Sequence, residues 1–251
     1  MKVSVVGLAR TGQAVVEFLL QQGARVIGTD SRPFEDMPSS VRGLAEKGAV
    51  LELGGHKLET FTRADLIVVS PGVPPTLEPL LQARRRDVPV TGELELASRF
   101  LDIPLVAVTG SNGKTTTTSL LGEIFRAAGK KVFVGGNIGA PLIGFVSSGE
   151  QADLAVVEVS SFQLETAETF RPEVGLLLNV TPDHLDRHAD FDEYIRLKAR
   201  VFKRQGPGQT AVVNADDPVV DGLTVKAKRL PFSRKTRPRD GACVEGGRLA
   251  L

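Results

Sequence analysis

Short apolar runs at residues 3–6, 25–28, 66–69, 105–108, 154–159, 174–178 and 211–213 recur along this chain, with helical stretches between them. That alternation constrains the fold more than any other feature. A strand, a covering helix and a further strand close as a parallel pair, so the repeat predicts the α/β class with parallel sheets flanked by helices. The pattern starts afresh near residue 105, after a helical stretch at 92–100 and the turn Asp102-Ile103-Pro104. Two α/β units joined near residue 92 are therefore expected, 1–92 and 93–251. Beyond residue 233 the character changes. Arg234-Lys235-Thr236-Arg237-Pro238-Arg239-Asp240 reads as a charged turn, and 243–251 as a hairpin about Gly246-Gly247. The chain then stops on a strand-like 248–251 with no closing helix, the pattern of a unit cut short.

The run at 105–108 leads into Thr109-Gly110-Ser111-Asn112-Gly113-Lys114-Thr115-Thr116, and 117–126 reads as a helix. Such a strand–turn–helix aims backbone N–H groups and a helix N-terminus at a phosphate. Lys114 adds a point positive charge for β- and γ-phosphates, and the Thr115 hydroxyl a hard oxygen for Mg²⁺. A standard GxxxxGK[ST] loop would place its first glycine at position 108, which is Val108; the loop here is the shorter G-S-N-G-K-T. The flanking strand and helix lie where the mechanism needs them, and the segment reads as a nucleoside triphosphate site.

Composition removes other classes. A formal charge of +1 gives no basic face for nucleic acid. One cysteine, Cys243, excludes an internal disulfide framework and fits a reducing cytoplasm. The start runs straight into a strand without a signal-type apolar region, and no stretch approaches the ~18 apolar residues of a span. A cytoplasmic protein without membrane insertion is expected.

In the first unit, Gly7-Leu8-Ala9-Arg10-Thr11-Gly12 follows the first strand and opens an amphipathic helix carrying Val15, Phe18 and Leu19. This is G-x-G-x-x-G with its middle glycine replaced by Ala9, and Asp30 stands at the end of the second strand, where a ribose-binding acid would sit. The middle glycine lets backbone approach a pyrophosphate, and Ala9 adds a methyl there. NAD, a related nucleotide such as a UDP-sugar, and a purely structural turn all remain open on these residues. Ser70-Pro71-Gly72-Val73-Pro74 supplies a second tight turn at the same carboxyl edge.

In the second unit, Glu158 stands near the carboxyl end of an apolar strand. A carboxylate there is costly unless it is ion-paired in the core or holds Mg²⁺ opposite the phosphate loop. His184 follows Asn179-Val180-Thr181-Pro182-Asp183, a polar loop at another strand's carboxyl end; it is either a surface histidine or part of the site. Along 191–204 the apolar positions Phe191, Tyr194, Ile195, Val201 and Phe202 follow helical spacing, and Lys198 lies within that stripe. It either snorkels to water or stays desolvated as a neutral amine. A neutral amine can add CO₂, becoming a carbamate anion able to hold Mg²⁺.

Taken together the motifs resemble those of the Mur ligase superfamily: G-L-A-R-T-G with T-D-S-R (29–32), S-P-G-V-P (70–74), G-E-L-E-L (92–96) and T-G-S-N-G-K-T-T (109–116). They continue with G-G-N-I-G (135–139), E-V-S-S-F-Q-L-E (158–165) and N-V-T-P-D-H-L-D-R (179–187). They cover residues 1 to about 220 in order. The first-unit motif and S-S-F-Q-L-E point to the D-glutamate-adding branch. The resemblance implies a Rossmann-like N-terminal domain and an incomplete P-loop-type ATP-binding central domain. The family's C-terminal Rossmann-like domain would be absent, and with it the D-glutamate residues and much of the adenine site.

The implied reaction is ATP-dependent amide formation between UDP-N-acetylmuramoyl-L-alanine and D-glutamate, through an acyl phosphate, in peptidoglycan precursor synthesis. By resemblance, Gly110, Ser111, Asn112, Gly113, Lys114, Thr115 and Thr116 bind ATP. Thr115 and Glu158 serve one Mg²⁺, and His184 with a carbamylated Lys198 a second. Lys114, His184 and Lys198 are the implied catalytic residues. Asn137 and Ser160 match contacts to the muramoyl substrate. Arg10, Thr11, Asp30, Ser31, Arg32 and Gly72 match the uridine-diphosphate pocket, with Ala9 a departure from the usual glycine. A monomer is expected, and this chain alone is expected to be inactive.

Overall fold

The structure, a computed structural model, describes residues 1–183 and 187–250. The chain forms two compact units, one of Met1–Phe100 with Pro141–Gly149, the other of Leu101–Ala140 with Glu150–Leu251. The first alternates β1 (Lys2–Val6), α1 (Arg10–Gln21), β2 (Arg25–Asp30), α2 (Ser39–Glu46), β3 (Val50–Leu53), α3 (Leu58–Thr62), β4 (Leu66–Val69), α4 (Glu78–Arg84), β5 (Val90–Gly92) and α5 (Glu93–Ser98). Its sheet runs β3-β2-β1-β4-β5, parallel throughout. Central β1 buries Val3, Val5 and Val6, as a strand covered on both faces must. The order reverses direction at β1, so the turns after β1 and β4 lie side by side at the carboxyl edge, where such sheets bind ligands.

The second unit begins with β6 (Leu105–Thr109), α6 (Lys114–Ala127) and β7 (Val132–Gly136). The next helix, α7 (Leu142–Ser148), lies within the segment that belongs to the first unit, where it packs on α1 and α5 and buries Leu142, Ile143 and Phe145. The second unit resumes with β8 (Leu154–Glu158), α8 (Ser161–Glu165), β9 (Val174–Leu177), α9 (Phe191–Ala199), a 3-10 turn (Arg200–Phe202), β10 (Thr210–Asn214), α10 (Pro218–Asp221) and β11 (Lys228–Ser233). It closes with β12 (Ala242–Glu245) and β13 (Arg248–Ala250), antiparallel about Gly246 and Gly247, both at positive φ as a tight hairpin turn requires. The sheet order is β13-β12-β11-β10-β9-β6-β8-β7, parallel up to β12. Because β6 lies between β8 and β9, the ends of these three strands bring residues 110–113, Glu158 and 178–183 to one edge.

The sequence boundary at 92–93 falls between β5 and α5. Contacts instead carry α5 with the first unit and add α7 to it. Among the described residues, no helix is long and apolar enough to cross a membrane.

Candidate functional site

In the first unit the turn after β1 closes tightly. A Cβ on Gly12 would lie 1.9 Å from the Gly7 carbonyl oxygen, so only glycine allows α1 to start so close to the strand end. The Ser70 hydroxyl donates to that same Gly7 oxygen at 2.7 Å, which joins the turn after β4 to the turn after β1. Asp30 ends β2, buried beneath them. Its Oδ2 accepts the Leu8 N–H at 2.8 Å, and the Arg32 guanidinium donates to both its oxygens at 3.0 Å. Burial by itself would raise the Asp30 carboxyl; the Arg32 and Leu8 hydrogen bonds outweigh it and hold the pKa at about 2. Arg10, Ser31, Arg32 and Gly72 are exposed around this carboxylate edge, and Thr11 is half-buried at the start of α1.

In the second unit Gly113 sits in the left-handed region, φ +83°, and turns the chain so that α6 begins at Lys114. Thr117 is the first residue to bond back, its N–H donating to the Gly113 oxygen at 3.0 Å. The N–H groups of residues 114–116, in the first turn of α6, have no acceptor within the helix, the arrangement that receives anions. Residues 111 and 112 are clamped from the β9 side. Asn112 N–H donates to Asn179 Oδ1 at 2.8 Å, and Asn179 Nδ2 donates back to the Asn112 oxygen at 3.0 Å. Ser111 Oγ donates to the Thr181 oxygen and accepts from Thr181 N–H, both at 3.0 Å.

Glu158, 2 % exposed, ends β8 beside this loop. Thr115 Oγ1 donates to its Oε2 at 2.7 Å and Asn137 Nδ2 to its Oε1 at 2.8 Å. Three residues separated in sequence thus meet on one carboxylate. Ser160 caps α8 reciprocally: its Oγ accepts from Gln163 N–H, and Gln163 Oε1 accepts from Ser160 N–H.

Lys198 points inward from α9 and is 1 % exposed. Its Nζ donates to the Gly110 oxygen at 2.8 Å and lies 4.4 Å from the centre of the Tyr194 ring. Lys114 Nζ donates to the same Gly110 oxygen at 3.0 Å and to the Ser111 oxygen at 2.9 Å. Two lysine amines therefore converge on one carbonyl. Burial first, then the charge of Lys114, lower the Lys198 pKa to about 7, with Asp183 opposing. The helix buries Tyr194, Leu197 and Lys198, whereas Phe191 and Ile195 are half-buried.

His184 lies outside the described residues. The sequence reading missed the Asn179 clamp and took Tyr194 only as part of an apolar stripe. Tyr194 Oη in fact shares a hydrogen bond with Ser111 Oγ at 3.3 Å. It also missed His188, which is 5 % exposed and shares a hydrogen bond with Ser161 Oγ at 3.1 Å. The signal available was its place directly after N-V-T-P-D-H-L-D-R.

A divalent cation fits this donor set. The Glu158 carboxylate and Thr115 hydroxyl are hard oxygens held together at the N-terminal end of α6, the chemistry Mg²⁺ selects. Among the described residues no three His, Cys, Asp or Glu side chains converge.

Residues 108–237 match the Mur ligase middle domain, and residues 1–92 match the MurD-like N-terminal domain of Mur ligases. The chain is 52% identical over 245 residues to the UDP-N-acetylmuramoylalanine–D-glutamate ligase of Desulfosudis oleivorans, covering 97% of this chain and 53% of that protein. It is 50% identical to the enzyme of the same name from Pelotomaculum thermopropionicum, covering 99% of this chain and 55% of that one. The chain thus spans about half the length of these relatives. Its fold is shared with the UDP-N-acetylmuramate:L-alanyl-gamma-D-glutamyl-meso-diaminopimelate ligase of Neisseria meningitides, at TM-score 0.62 and 16% identity over 96% of this chain and 82% of that one. It is shared also with the UDP-N-acetylmuramate-alanine ligase of Thermotoga maritima, at TM-score 0.55 and 21% identity over 94% of this chain and 53% of that one.

Proposed function

This chain belongs to the Mur ligase family, and from that we propose that it forms the substrate- and ATP-binding half of a ligase joining D-glutamate to UDP-N-acetylmuramoyl-L-alanine in the cytoplasm. The observation that carries the reading is the convergence of Lys114 and Lys198 on the Gly110 oxygen at the start of α6. Lys114 brings its charge to a loop carbonyl that the buried, low-pKa Lys198 amine also meets, and a triphosphate laid on the loop answers that charge.

The reaction begins when a carboxylate oxygen of the L-alanyl group attacks the γ-phosphorus. The bond from that phosphorus to the β-phosphate oxygen breaks, and ADP leaves. The amine of D-glutamate then attacks the acyl carbon, the carbon–oxygen bond to phosphate breaks, and the amine's surplus proton is given up. Two anions must meet in the first step, so positive charge has to be held beside the γ-phosphate. Lys114 supplies it, positioned by the same turn that aims the α6 amides. Asn137 and Ser160 contact the muramoyl part, and the Asp30 edge with Arg10, Thr11, Ser31, Arg32 and Gly72 takes the uridine diphosphate.

Glu158 and Thr115 would hold Mg²⁺, and His184 with Lys198 a second ion. Bound Mg²⁺ supplies charge neutralisation of the triphosphate. Lys198 would join that set as the carbamate, formed when its neutral amine adds CO₂ and gives up one proton, a role that suits the inward, buried placement of its Nζ.

Calorimetry of the 251-residue chain tests the reading. MgATP and UDP-N-acetylmuramoyl-L-alanine are expected to bind independently. Absence of heat from MgATP at millimolar concentration would overturn the assignment of the loop, and absence of heat from the muramoyl nucleotide that of the Asp30 edge.

A further inference from the structure

Beside the phosphate loop, planar and cationic groups form a continuous stack of which the proposed reaction uses only the last member, Lys198. The Arg187 guanidinium lies 5.3 Å from the Phe162 ring centre. Phe162 stacks on His188 with centroids 5.3 Å apart and an interplanar angle of 29°. His188 lies 5.1 Å from Tyr194 at 40°, and Lys198 Nζ lies 4.4 Å from the Tyr194 ring centre. The stack thus starts on Arg187, passes over Phe162 of α8, returns through His188 ahead of α9, and ends on the lysine that bonds the Gly110 oxygen.

His188 is the piece that joins both ends. Its ring is buried, and Nε2 shares its hydrogen bond with Ser161, the first residue of α8 and the neighbour of Ser160. Tyr194 in turn shares a hydrogen bond with Ser111 inside the phosphate loop. A tyrosine in such a place has two torsions to fix, and an aromatic neighbour against its ring fixes them at little entropic cost. We infer that His188 is a positioning residue: its ring holds Tyr194 in the orientation that seats Lys198 Nζ and Ser111, and ties that orientation to the start of α8. The inference rests on the reading of the 110–116 loop as the ATP site for its role in the reaction, but its geometry stands apart from that reading.

The chain itself supplies the probe. Tyr194 is its one tyrosine and it has no tryptophan, so tyrosine emission reports this position alone. Emission and its quenching by acrylamide are measured on the 251-residue chain without ligand, for the native protein, His188→Ala and His188→Phe. His188→Ala is expected to raise quenching roughly 2- to 10-fold, the change in open Tyr194 population that loss of one aromatic pair allows. His188→Phe, which keeps a planar ring, is expected to restore the native value. Unchanged quenching in His188→Ala overturns the inference, and so does an equal rise in both variants, which would assign the positioning to the Ser161 hydrogen bond instead of the ring. Far-UV circular dichroism checks folding; if His188→Ala unfolds, His188→Gln removes the ring and decides in the same way. MgATP calorimetry runs alongside. Failure of the native chain to bind MgATP overturns the loop reading, while the ligand-free quenching comparison still decides the role of His188.

Discussion

The two units solve the same local problem, a strand that must turn into a helix at the carboxyl edge of a parallel sheet, in opposite ways. In the first, Gly12 is required by contact: its hydrogen faces the Gly7 oxygen at a distance no side chain tolerates. A buried carboxylate, Asp30, then occupies the Leu8 N–H. In the second, Gly113 is required by its positive φ, a Cβ there would meet only Leu178 Cδ1 at an ordinary 3.7 Å, and two lysines crowd the loop. The first turn is closed and internally satisfied, with its carboxylate neutralised by Arg32. The second gathers two lysine amines on one carbonyl oxygen. A turn's glycine spacing says where a ligand sits; the charges locked beneath it say which kind.

The sharpest way to break this contrast is to add one methyl group to each turn. Gly12→Ala is expected to destabilise the first unit by more than about 3 kcal/mol, since backbone must move to relieve the clash. Gly113→Ala is expected to cost only about 1–2 kcal/mol, the price of a left-handed residue. Urea unfolding of both variants measures the difference, and equal losses would remove the distinction between steric and conformational glycines.

Charge removal comes next in size. Lys114→Ala is expected to weaken MgATP binding roughly 10- to 100-fold through loss of a charge-assisted contact, and to leave binding of the muramoyl nucleotide unchanged. Asp30→Asn is expected to do the reverse. Calorimetry of each variant with each ligand checks both arms; parallel losses for the two ligands would show a folding effect instead of two separate sites.

The buried carboxylates extend the comparison. Glu158 is matched by two side-chain donors, whereas Glu93 in the first unit is 2 % exposed and meets the Ile143 N–H at 2.7 Å. Burial, only partly offset by the N–H groups of Ile143 and Leu142, raises the Glu93 pKa from 4.5 to about 7. The folded chain therefore holds this proton more tightly than the unfolded one, and stability is lost as pH rises from 4.5 through 7. Glu93→Gln keeps an acceptor without the charge. Its stability relative to the native chain is expected to climb across that window and level off above it, by at most about 2–3 kcal/mol. Denaturant melts at pH 5 and pH 8 read it, and a pH-independent difference would contradict the cause given. The smallest effect belongs to Thr115→Val, expected to cost about 1 kcal/mol of stability through the lost bond to Glu158, and to raise the Mg²⁺ concentration needed for ATP binding.

The interior strands were legible in the sequence because β1, β4, β6 and β8 are apolar on both faces. The edge strands β3 and β7 were not, since an edge buries less and needs no apolar run. β11 was hidden by Pro231, which reads as a strand breaker. The structure tolerates it because pairing with β12 begins only at Phe232, so the missing N–H leaves no rung open. Lys198 could be placed by helical period alone. The same period placed the Tyr194 ring, but not the partner of its hydroxyl, and it said nothing of His188, because Ser111 and Ser161 are brought to these two by the sheet order and not by any local spacing.

The membership of α7 in the first unit has a consequence for how the chain is made. No contiguous stretch encodes that unit: residues 1–100 lack the helix that covers α1 and α5 and that gives Glu93 its N–H partner. On the ribosome the first unit cannot close until residue 149 has emerged, by which time β6, α6 and β7 have already been synthesised. N-terminal domains ordinarily fold first during synthesis. Here the first unit waits on its own last helix, encoded beyond β7, and a nick between Phe100 and Leu101 would leave the two pieces held together by packing that the first unit already owns.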